Sequence, residues 1–74
     1  MNKIIGFGII GLGSVAQVHV KAIESLENAK FVAGYHKNIE KAEAFCKARG
    51  AIGYDNLEAF LANKEIDVVS IATP

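Results

Sequence analysis

Hydrophobic spacing divides the chain into seven segments of alternating character. Residues 4–10 (Ile4, Ile5, Gly6, Phe7, Gly8, Ile9, Ile10) are apolar on both alternating faces and rich in β-branched side chains, the pattern of a parallel strand covered on both sides. From Ser14 the period changes: Val15, Val18, Ala22 and Leu26 recur at three- and four-residue steps, with Gln17, Lys21 and Glu24 left for solvent, which predicts an amphipathic helix buried along that stripe. Asn28 and Ala29 interrupt it. Lys30 to Tyr35 reads as a second strand, in which Gly34 marks the close approach of another group. Asn38 caps a second helix whose Ile39, Ala42, Phe45 and Cys46 share a face until Gly50 ends it. A short strand follows from Ala51 to Tyr54. Asp55 with Glu58 three residues later is an acidic variant of the capping box, and Leu57, Phe60 and Leu61 form the expected buried side of a third helix. Ile66 to Ala72 is the last strand, ending at Thr73 and Pro74. The order βαβαβαβ implies an α/β fold: a parallel, doubly wound sheet with strand order 3-2-1-4.

Length and composition narrow the class. At 74 residues the chain is about half an ordinary domain, which excludes a two-domain enzyme. Half of it (51%) is hydrophobic and eight basic residues balance eight acidic ones, so neither a disordered tail nor a basic nucleic-acid arm fits. The single cysteine, Cys46, excludes an internal disulfide, and two isolated histidines supply no metal cluster; Cys46 reads as a small core residue. The amino terminus has the outline of a secretory signal: Met1, Asn2 and Lys3, an apolar run, then Ser14, Val15 and Ala16. That run is too short to cross a bilayer. Four glycines within eight positions (Gly6, Gly8, Gly11, Gly13) favour a different use of the same residues. No membrane or nucleic-acid partner is expected, and the expected location is the cytoplasm.

The glycines match a dinucleotide fingerprint in two overlapping frames. The frame from Gly6 to Gly11 fails, because Ile9 and Ile10 would have to lie in the turn and helix start although they belong to a strand. Gly11, Leu12, Gly13, Ser14, Val15 and Ala16 follow the strand and open the helix, as the mechanism requires. Gly11 would form the tight turn, Gly13 would leave room for a pyrophosphate, and Ala16 would keep the helix close to the strand in place of a third glycine. The amides at Ser14 and Val15 would then face an anion with the helix dipole behind them. The plainer alternative is a tight strand-to-helix connection and nothing more. A carboxylate is expected about 20 residues past such a motif, to hold the adenine-side ribose. His36 stands there, followed by Lys37. This neutral-to-cationic pair suits a 2′-phosphate and favours NADP over NAD, unless both side chains are simply solvated.

Taken together these residues resemble the glucose-fructose oxidoreductase and inositol dehydrogenase (Gfo/Idh/MocA) family of NAD(P)-dependent oxidoreductases. The likeness is carried by four places: Gly8 to Gly13; Ala16 with His19; Val32 to Ala42 with Asn38, Glu40, Lys41 and Ala42; and Ile66 to Pro74. It covers nearly the whole chain and implies an incomplete NAD(P)-binding Rossmann domain over residues 1–74. The resemblance also implies that Thr73 and Pro74 line the cofactor site. The family usually carries an acid where this chain has His36. Members are similar to one another in a catalytic Glu-Lys-Pro segment beyond the fourth strand and in a second α/β domain. Neither is present in these 74 residues, so the chain alone is expected to lack dehydrogenase activity. His19 reads as a packed or hydrogen-bonded helix residue.

Three functions compete at this point. The first is the cofactor-binding portion of an oxidoreductase that transfers hydride between a nicotinamide cofactor and a sugar, polyol or related hydroxy compound. The second is a non-catalytic dinucleotide-binding module, and the third a small secreted protein that loses its first 16 residues. The outer edge of the last strand carries neither charge nor proline, so self-association or pairing with a further domain is expected there.

Overall fold

The computed structural model describes residues 3–72. Its elements are β1 (Ile5–Ile10), α1 (Ser14–Glu24), β2 (Ala29–Tyr35), α2 (Ile39–Lys47), β3 (Ile52–Tyr54), α3 (Leu57–Leu61) and β4 (Val68–Ile71). The four strands are parallel and lie in the order β3-β2-β1-β4, as expected from the sequence. This is a Rossmann-like α/β fold. Thr73 and Pro74, expected at the cofactor site, lie outside the described residues.

Two apolar clusters hold the sheet. On the face of α1 and α2, Ile9 and Phe31 pack with Ala16, Val20, Ile23 and Cys46. On the face of α3, Phe60 packs with Val32 and Ala33, backed by Tyr35, Tyr54 and Ile66. Phe7 pairs with Phe31 but Gly8 with Ala33, so the β1–β2 register slips by one residue at Val32. Gly8 has a packing reason inside the strand: a Cβ there would stand 2.7 Å from Phe60 Cζ. Glycine is the only residue that lets this fully buried ring lie on the sheet.

Three expectations are corrected. In α1 the buried residues are Ala16, Val20 and Ile23, whereas Val15, Val18 and Leu26 are 47%, 66% and 52% exposed and Ala22 is exposed too. The helix carries two apolar stripes, and the turn before it rotates Ala16 onto the sheet. Residues four and seven further on must follow it inward. The second correction concerns α3, whose cap is Asn56, one residue later than the proposed Asp55; its side chain accepts the Ala59 N–H at 3.0 Å. Third, only Phe60 of that helix is buried, while Leu57 and Leu61 stay exposed because five residues present a single side chain to the sheet. Elsewhere the boundaries move by one or two residues. The last strand is shorter than expected because Ile66 and Asp67 precede the ladder with β1.

Gly34 does mark a close approach. A Cβ on it would lie 2.7 Å from Cys46 Sγ and 2.9 Å from a Leu12 methyl. Burial pushes the Cys46 thiol up to about 11, outweighing a backbone hydrogen bond at Gly34 and the charge of Arg49. A thiol so placed stays protonated at neutral pH and serves as packing.

Candidate functional site

The strand-to-helix turn is built from glycine for a reason that the backbone makes explicit. β1 ends at Ile10, and Gly11 turns the chain with φ of 91°, a conformation costly for a side chain bearing Cβ. The Gly11 N–H donates to the Tyr35 carbonyl at 3.1 Å, which ties the turn to the end of β2. Leu12 tucks toward Gly34. Gly13 then occupies the N-cap position of α1 in extended conformation, with φ −96° and ψ −160°.

The helix start differs from the other two. Asn38 caps α2 by accepting from Glu40 N and Lys41 N at 2.9 and 3.3 Å, and Glu40 adds a carboxylate to the first turn. α3 has the same arrangement in Asn56 and Glu58. Such caps each contribute roughly 1 kcal/mol. α1 has neither: Gly13 supplies no side-chain hydrogen bond and no acid stands in the first turn. The amides of Ser14 and Val15 therefore lack an intrahelical acceptor, and the positive end of an 11-residue helix is left uncompensated. That is an anion-binding arrangement.

These amides open on a cleft of about 610 Å³ at the carboxyl ends of the strands. Gly11, Leu12, Gly13, Ser14 and Val15 form one wall, and Tyr35, His36 and Lys37 another, with Ile10 and Ala72 at the base and side. The structure thus brings together ten positions, seven of them singled out from sequence; Ala16 instead lies buried beneath the turn, against the sheet, as its small size suggested. Ile10, Tyr35 and Ala72 were missed as lining residues, although each directly precedes one that was named. A Cβ on Gly13 would meet nothing within 4 Å. Glycine there is not demanded by the protein's own packing, so the space it leaves is the cradle's own.

The ribose end has its own geometry. His36 is half-buried, and its backbone N–H donates to the Tyr54 carbonyl at 3.0 Å, fixing its position at the end of the sheet. Its ring Nδ1 accepts the Asn38 N–H at 2.9 Å. With that lone pair engaged, the neutral imidazole carries its proton on Nε2 and offers a donor. Lys37 is exposed beside it, and among the described residues no carboxylate lines this cleft.

The residues present therefore suit a dinucleotide: uncapped amides for a diphosphate, space at Gly13, and donor groups at the far end. The fold and cleft define a Rossmann-type nucleotide-binding unit. Residues 5–74 match the family described as an oxidoreductase family with an NAD-binding Rossmann fold, and the chain belongs to that family. It is 37% identical over 67 residues to an uncharacterized oxidoreductase of Synechocystis sp., covering 89% of this chain and 18% of that protein. It is 35% identical over 65 residues to glucose-6-phosphate 3-dehydrogenase of Bacillus subtilis, covering 88% and 18%. The WlbA dehydrogenase of Bordetella pertussis, solved with NADH and UDP-GlcNAcA, superposes with a TM-score of 0.84 at 32% identity, over 97% of this chain and 23% of that one. The chain thus spans about a fifth of the length of these relatives.

Proposed function

We propose that Gly11, Leu12, Gly13, Ser14, Val15, His36 and Lys37 hold NADP in preference to NAD, with Ala16 setting the helix against the strand. The single observation that carries this reading is the uncapped α1 terminus facing a cleft that ends in His36 and Lys37. The Ser14 and Val15 amides would hold the diphosphate. The Nε2–H of His36 and the ammonium of Lys37 would hold a 2′-phosphate, which a carboxylate there would repel. When bound, the dinucleotide supplies a nicotinamide that gives or accepts a hydride. The chain's own residues bind and orient it.

The substrate class is a hydroxyl-bearing sugar or polyol, supported by the sugar-directed names of relatives that share this domain. The residues that would position such a substrate and move its proton belong, as the resemblance implies, to the Glu-Lys-Pro segment and second domain of the family. Val68, Val69 and Ile71 are exposed on β4, the outermost strand of the sheet among the described residues. That edge pairs with further strands or with another copy, in a cytoplasmic setting.

Titrating the chain with NADPH and NADH, read by nicotinamide fluorescence, tests the proposal. NADPH is expected to bind about threefold to tenfold more tightly, the factor for one added charge-assisted contact at an exposed site. Equal or tighter binding of NADH removes the 2′-phosphate assignment. Absence of binding by either removes the dinucleotide reading itself.

A further inference from the structure

The candidate cleft is lined by the amino end of α1, the end of β2 and, after β4, Ala72, and a single side-chain hydrogen bond joins α1 to β4 among the described residues. His19 Nδ1 lies 2.7 Å from Ser70 Oγ. His19 sits five residues after Ser14 in α1, about 7.5 Å along the helix. Ser70 sits two residues before Ala72, which lines the cleft. Both partners are half-buried, and Phe7, Val18, Ile23 and Leu26 surround them in an apolar groove of about 360 Å³. Apolar neighbours resist separation but impose little direction, so α1 could slide over them without this bond. A hydrogen bond fixes distance and angle.

We propose that His19 is a positioning residue for the dinucleotide: by clasping Ser70 it holds the amide cradle of α1 at a set distance from the end of β4. This rests on the dinucleotide reading above. The pairing suits the role, because imidazole Nδ1 can donate or accept and the serine hydroxyl rotates to match. A residue serving only to fill the groove would be replaced by leucine without loss.

The test measures the affinity of this chain for NADPH, with thermal melting recorded on every variant. His19→Leu and Ser70→Ala are each expected to weaken binding by about threefold to tenfold, the factor that one hydrogen bond of ordinary net strength commands. His19→Asn places an amide atom where Nδ1 stands, and Ser70→Thr keeps the hydroxyl; both are expected to retain most of the affinity. The double variant His19→Leu/Ser70→Ala is expected to be no weaker than either single one. The clasp is overturned if His19→Leu binds within twofold of the parent chain, or if His19→Asn is as weak as His19→Leu. Should His19→Leu lose its cooperative melt, the Ser70→Ala and Ser70→Thr pair decides, and equal affinities overturn the clasp. Failure of the parent chain to bind NADPH or NADH overturns the dinucleotide reading and the clasp with it, an outcome distinct from equal binding by parent and variants.

Discussion

The two ends of β1 use glycine for opposite purposes. At the amino end, the backbone around Gly6 is filled by the protein itself. The Gly6 N–H donates to the Asp67 carboxylate at 2.8 Å, the Gly6 carbonyl accepts the Asp67 N–H at 2.7 Å, and Lys3 stands 3.6 Å from the other carboxylate oxygen. A Cβ on Gly6 would overlap the Glu65 carbonyl oxygen. At the carboxyl end, Gly13 meets nothing within 4 Å and caps nothing with a side chain. One glycine is required by the protein's own packing, while the other leaves open space and an uncapped helix start, which the proposed function uses as a cradle. On the proposed function, stability and binding thus lie at opposite ends of the same strand.

The largest effect is expected from Gly6→Ala. The new methyl group cannot share space with a backbone carbonyl, so β1 and the segment leading into β4 must separate, at a cost on the order of 4 kcal/mol. For so short a chain that amounts to most of the folding free energy. Urea denaturation measures it, and a loss below about 1 kcal/mol would erase the contrast between the two ends.

Gly13→Asp sharpens the contrast from the other side. The extended backbone at Gly13 accepts aspartate, which caps the Ser14–Ala16 turn and places a negative charge at the helix start, so stability should hold or rise by up to about 1 kcal/mol. The same carboxylate would face the diphosphate, so NADPH affinity should fall by about 100-fold or more, as expected for a like charge in the anion site. Parallel melting and fluorescence titration check both signs. A variant that is less stable yet still binds would mean that Gly13 serves the fold after all.

The smallest effect concerns Asp67. Its hydrogen bond from Gly6, and after it the nearby Lys3, hold the carboxyl below its ordinary 3.8. A depressed pKa contributes stability that is fully present above 3.8 and disappears as pH falls through the lower folded value. Asp67→Asn should therefore melt slightly below the parent chain near pH 6, and the gap should close below about pH 4. A gap that widens in acid would contradict the assignment.

Much of this could be read from the residues alone. The Gly11–Ala16 frame was separable from the Gly6–Gly11 frame because two isoleucines in succession belong to a strand, and the alternation of strands with helices set the sheet order. Asn38 was legible as a cap because asparagine before an apolar repeat has few other uses. The buried face of α1 was not. Val15, Val18, Ala22 and Leu26 form as regular a stripe as Ala16, Val20 and Ile23, and hydrophobicity alone favours neither. Asn56 was missed because Asp55 beside it is an equally good cap by residue type. Gly6 and Gly8 were read as part of a turn motif or strand, whereas their lack of a side chain answers Glu65 and Phe60, distant partners that no local pattern reveals.

The sequence by itself determined the elements, their parallel order and the place of the glycine turn, because periodicity, capping chemistry and positive-φ tolerance are properties of a few adjacent residues. Only the tertiary structure decided which stripe of α1 meets the sheet, that His19 reaches Ser70, and that His36 turns its Nδ1 toward Asn38 and its other ring nitrogen away from that bond. Those outcomes depend on the rotation of one element against another, and that rotation is set by the summed packing of residues far apart in the chain.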